Sequence, residues 1–122
     1  MLHIELLRDR GILILTPKGA LEAADFERVG QQVDPFIAAN GMLNGLMIHA
    51  EAFPGWASFG SLVTHIKFVK EHHRKIRRVA AVSDSAFLKV MPAIASHFAT
   101  AEVRHFPFHE KARALAWLET GQ

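Results

Sequence analysis

The sequence predicts an α/β domain: a mixed, mostly parallel five-stranded sheet with an N-terminal β-hairpin and four helices. Two observations carry this expectation. Short apolar runs of strand-like pattern alternate with longer segments whose apolar residues recur at helical spacing. That alternation favours parallel strands joined by helical crossovers, with helices on both faces of the sheet. The two runs at the start are separated by a tight glycine-containing turn, which requires one antiparallel pair.

Leu2–Leu7 alternates apolar and polar residues, the period of a half-buried strand. Arg8-Asp9-Arg10-Gly11 supplies the turn, with Gly11 free to take positive φ. Ile12–Leu15 is continuously aliphatic and is ended by Pro17 and Gly19, completing the hairpin. From Glu22 to Ala39 the period becomes helical. Phe26, Val29, Val33, Phe36 and Ile37 share one stripe, Asn40-Gly41 provides a stop, and Pro35 is expected to kink or break the helix.

Leu43–His49 reads as a buried strand and Glu51–Trp56 as a loop punctuated by Pro54 and Gly55. A helix over Ala57–His73 would bury Phe59, Leu62, Val63, Ile66 and Val69. Ile76–Val82 is the next strand. Ser83, Asp84 and Ser85 offer an N-cap for a helix carrying Phe87, Leu88, Met91, Ile94, Ala95 and Phe98, divided by Pro92. Glu102–Phe106 forms a last strand, and Pro107 opens a final helix from Phe108 to Glu119.

A chain of 122 residues with no repeat, linker or low-complexity stretch fits one domain over residues 1–122. Half of its residues are hydrophobic, enough for a core without metals or cross-links. It contains no cysteine, which excludes disulfides and cysteine-based zinc sites and fits a cytoplasmic location. The first ten residues lack the pattern of a secretory signal, and no apolar run reaches the ~18 residues of a membrane span. A net charge of +2 does not by itself point to nucleic acid.

The order of elements, together with several local sequences, resembles the SpoIIAA-like family, which is related to STAS domains. Those sequences are Gly55-Trp56 after the third strand and Ile76-Arg77-Arg78-Val79-Ala80-Ala81-Val82-Ser83-Asp84 around the fourth. The closing set is Val103-Arg104-His105-Phe106 with Ala114-Leu115-Ala116-Trp117-Leu118. The resemblance covers nearly the whole chain and rests on the ordered set rather than on one diagnostic motif. It implies a fold shared in outline with anti-sigma-factor antagonists and with CRAL-TRIO lipid-binding domains. It also implies binding of an apolar small molecule with some membrane association. Anti-sigma antagonists carry a phosphorylatable serine just after the third strand, typically in an Asp-Ser pair. In this chain Ser58 follows Ala57, so the aspartate is lacking.

Three groups of residues are candidates for function. Phe53, Trp56 and Phe59 place three aromatics within seven residues at a strand-to-helix junction, where α/β sheets collect ligands. Phe68 falls about 180° from Phe59 on a helical wheel and is flanked by His65, which suggests a second contact surface. With Phe87, Leu88 and Met91 these would wall a pocket for a small apolar or amphipathic, lipid-like ligand. Lys67, Lys70, Arg74 and Lys75, joined by Arg77 and Arg78, form the charge cluster, read as an anion-seeking patch suited to peripheral membrane contact. Ser58 and Ser61 near a helix start are candidate phosphorylation sites for a protein–protein regulator.

The alternative of catalysis finds little to support it. Gly55 lies one residue too far from Ser58 for a G-x-S-x-G elbow, and no motif pairs a serine with His97 or with His105–His109. The histidines show no metal-ligand spacing: His72 and His73 are adjacent, and His105 and His109 straddle Pro107. The expectation is therefore a non-enzymatic binding module needing no cofactor or metal. The leading expectation is a small apolar or amphipathic ligand with peripheral membrane contact. The alternative is a protein–protein regulator of the anti-sigma-factor-antagonist type switched by serine phosphorylation, with nucleic acid ranked last and a homodimer expected.

Overall fold

The computed structural model describes residues 2–18, 23–50, 76–84, 92 and 101–121. Within them β1 (Leu2–Leu7), β2 (Ile12–Pro17), β3 (Leu43–His49), β4 (Ile76–Ser83) and β5 (Glu102–Pro107) form one sheet in the order β1-β2-β3-β4-β5. The first pair is antiparallel, with Leu7 opposite Ile12 and Leu2 opposite Pro17. The remaining pairs are parallel, setting Ile14 beside Met47, Met47 beside Ala80 and Ala80 beside Arg104.

The hairpin closes through Gly11, whose φ of 68° lies in the left-handed region that a side chain disfavours. Its N–H donates to the Leu7 carbonyl at 2.8 Å. Its own carbonyl accepts the N–H groups of Asn44 and Gly45 at 2.9 and 3.2 Å, and the Asn44 side-chain amide donates to the Arg10 carbonyl at 3.0 Å. The turn is thus fastened to the start of β3, which helps to fix the register of β2 on β3.

The unbroken aliphatic run Ile12–Leu15 is buried along its whole length because β2 is covered on both faces. Leu13 and Leu15 point to the side of helix α1 (Ala23–Asn40); Ile12 and Ile14 point to the side of helix α2 (Lys111–Thr120). On the first side Val29, Val33, Phe36 and Ile37 of α1 meet Leu46, Ile48, Val79 and Ala81. On the second, Ala114, Trp117 and Leu118 of α2 meet Met47, Ala80, Val82 and Phe106. Leu43 and Ile76, paired at the starts of β3 and β4, depart from strict alternation and both join the α1-side core.

Helix α1 is anchored at both ends. Asp25 pairs with Arg28 at 2.7 Å, and the same guanidinium donates to the Leu2 carbonyl at 3.1 Å, tying the helix to β1. At the other end Gly41, with φ 89°, donates to the Ile37 carbonyl at 2.7 Å, and the Asn40 amide donates to the Phe36 carbonyl at 2.9 Å. Pro35 does not break the helix, which runs through it without interruption. The carbonyl that Pro35 leaves without an N–H donor belongs to Gln31, and both residues are exposed, so water can replace the lost bond.

The expected strands are all present, with β2 extended to Pro17, β4 to Ser83 and β5 to Pro107. The final helix begins later than expected: Phe108–Glu110 form a single 3-10 turn and α2 starts at Lys111. The helices expected over residues 57–73 and around 87–98 fall outside the described residues, as does the side chain of Phe26. Among the described residues no helix is long and apolar enough to cross a membrane.

Candidate functional site

Parallel strands that start together end together, so β3, β4 and β5 deliver His49, Ser83 and Pro107 to the same carboxyl-terminal edge of the sheet. Ligands of α/β sheets gather beyond such an edge. Ala50 continues β3 for one more residue, its N–H donating to the Val82 carbonyl at 3.0 Å. Ser83 is fully buried and its hydroxyl donates to the Asp84 carbonyl at 3.3 Å.

Two histidines occupy this edge on opposite faces. His105, on the α1 side of β5, holds Nε2 at 3.1 Å from the carbonyl oxygens of both Ser83 and Asp84. Both partners only accept, so Nε2 must carry the hydrogen and donate. That nitrogen is committed to holding β5 against the end of β4 and is not a free base.

His49, on the α2 side, lies flat on Phe108, with ring centroids 4.7 Å apart and planes inclined by 7°. Burial, reinforced by the nearby Lys111 ammonium, pushes its pKa below the usual histidine value. Its ring is thereby held neutral over a wider range, an imidazole able to donate and accept rather than a fixed charge.

Next to it, Phe106 and Trp117 meet at 5.7 Å, and Arg104 lies over both rings at 4.8 and 5.9 Å from their centroids. Arg113 approaches Phe106 from α2 at 5.7 Å and pairs with Glu110 at 3.1 Å. This edge of the α2 face is therefore aromatic beneath and cationic above.

Phe53, Trp56, Phe59, His65, Phe68, Phe87, Leu88, Met91, Ser58, Ser61, Lys67, Lys70, Arg74 and Lys75 all fall outside the described residues. Of the charge cluster, Arg77 is exposed and its guanidinium lies 3.6 Å from the Met42 sulfur. Arg78 is half-buried. It reaches beneath the end of α2, where one terminal nitrogen donates to the Leu118 carbonyl at 3.4 Å. Its Nε is buried with no hydrogen-bond partner among the described residues. A cation there complements the negative end of the helix dipole.

The stack of His49 on Phe108 and the arginine–aromatic group were not recognised in the sequence. Each joins residues far apart in the chain, and only the register of β3, β4 and β5 brings them together. The usable signals were a histidine ending a buried strand and an aromatic residue directly after Pro107.

No curated protein and no solved structure matches the chain significantly. A family model described as SpoIIAA-like does match, over residues 12–119, from the second strand of the hairpin to the last residue but one of α2. That span takes in four of the five strands and both described helices, and the chain belongs to the SpoIIAA-like family.

Proposed function

We propose that this chain is a non-enzymatic STAS-type binding module that acts as a protein–protein regulator of the anti-sigma-factor-antagonist kind. The observation that carries this reading is the family match over residues 12–119. Its name is that of a regulator working through contact with another protein. The fold supports the reading by placing the exit of β3 at the carboxyl edge. Ser58 and Ser61 follow in the connection that begins there. A phosphate added to either serine would bring close to two negative charges to that connection, enough to break or create a contact. Ala57 stands where an aspartate would precede the phosphorylated serine, so recognition by a kinase would rest on other residues.

The test compares wild type with Ser58→Ala, Ser58→Asp, Ser61→Ala and Ser61→Asp in affinity capture from the native cell, alongside phosphopeptide mapping. The regulator reading expects one partner retained by the alanine variants and at least about ten-fold depleted by one aspartate variant, matching a modified serine. Equal capture by all variants, with neither serine modified, would refute the switch. Carriage of a small apolar ligand by the aromatic residues Phe53, Trp56 and Phe59 is the rival outcome. Native mass spectrometry before and after organic extraction would reveal it as an extractable adduct.

A further inference from the structure

Strand β1 ends the sheet, and among the described residues no strand pairs with its outer edge. An edge of this kind offers a row of unpaired N–H and C=O groups to another chain. The opposite edge is protected: β5 exposes Glu102 and Arg104 and ends in Pro107. β1 has no proline and no lysine, and it carries Ile4 and Leu6 only partly buried on the α1 side, next to the core. Its exposed side chains are His3 and Glu5, on the other face.

We propose that β1 is a self-association edge, on which a second copy of this chain adds its own β1 antiparallel across a two-fold axis. The sequence of the strand selects the register. A two-fold axis normal to the sheet keeps each face continuous, so residues facing each other must have the same parity. An axis through His3 would set His3 against His3, and one through Glu5 would set two carboxylates together. An axis through Ile4 sets His3 of each copy opposite Glu5 of the other. The same register places Leu2 opposite Leu6 and Ile4 against Ile4, extending the α1-side apolar face across the junction. The polar and apolar patterns thus agree on one alignment: each His3 imidazole faces a Glu5 carboxylate that can accept its N–H, whereas the register through Glu5 opposes like charges, which destabilise a strand pair. This surface is separate from the carboxyl edge and does not depend on the regulator reading.

The experiment is sedimentation equilibrium of the full chain across the micromolar range, with Glu5→Lys and with the charge swap His3→Glu/Glu5→Lys. The wild type should form a dimer, Glu5→Lys should weaken it by about ten-fold or more, and the swap should restore it by again opposing an acid to a base. Glu5 is exposed, so these variants are expected to fold, and circular dichroism would verify it. In parallel, the β1 amides of wild type should exchange hydrogen more slowly as protein concentration rises. A wild type that stays monomeric, or a dimer indifferent to Glu5→Lys and without concentration-dependent protection of β1, would overturn the proposal.

Discussion

The imidazole of His49 is pressed flat on Phe108, and burial, with the Lys111 ammonium adding to it, resists its protonation. A histidine whose folded pKa lies below its unfolded one binds fewer protons in the native state. Stability then rises with pH through that interval. The contribution is complete above the ordinary value of about 6.5 and is lost as pH falls through the lowered folded value. His49→Phe keeps an aromatic ring on Phe108 and removes the titration. Urea unfolding at several pH values should show a shallower loss of stability on acidification for this variant than for wild type. Parallel curves would show that His49 titrates alike in both states. Gly11 shows a different residue-scale constraint. Its turn needs positive φ, and a methyl group there would lie 2.9 Å from the Asn44 amide nitrogen, so space and backbone both demand glycine.

At the level of elements, α2 depends on one missing side chain. Gly45 faces α2 from the middle of β3, and a methyl placed on it would come 2.7 Å from Leu118 Cβ and 2.8 Å from Cδ2. The absence of a side chain lets Leu118 be buried completely against the sheet. Gly45→Ala should therefore lift α2 from β3 and cost about 1–3 kcal/mol in chemical denaturation, the usual range for overpacking a core. A change within error would mean that Leu118 moves aside freely. The end of the helix is held by three contacts. Gly121, with φ 81°, donates to the Trp117 carbonyl at 2.7 Å, Arg78 reaches the Leu118 carbonyl, and Arg10 meets Glu119 at 2.6 Å. The first two satisfy carbonyls that every helix terminus leaves open. The third is an exposed pair, worth at most about 1 kcal/mol, whose main effect is to join the hairpin turn to the last helix.

For the molecule as a whole, the strands were legible because burial on two faces writes itself as uninterrupted aliphatic runs, as in Ile12–Leu15 and Val79–Val82. Pro35 interrupts no part of α1; sequence periodicity does not reveal that Gln31, whose carbonyl loses its donor, lies on the exposed side of the helix. The basic neighbours of Arg78 mark it in the sequence as part of a charge cluster; its register opposite Gly45, beneath α2, is a tertiary fact. The carboxyl-edge histidines were visible as residues but not as an arrangement, since that depends on strand order. Ending the chain at Glu110 removes Ala114, Trp117 and Leu118, the helical part of the α2-side core among the described residues. Such a truncation should abolish the cooperative thermal transition seen by circular dichroism, whereas a sharp transition would show that the α1-side core suffices. The dependence on α2 also has a temporal side. During synthesis Ile12, Ile14, Met47, Ala80 and Val82 are all made before the helix that covers them. At about 5–20 residues per second, the interval from Val82 to Leu118 lasts about 2–7 s. For that time these aliphatic side chains lack the helix that packs on them, an opening for a ribosome-associated chaperone to hold them.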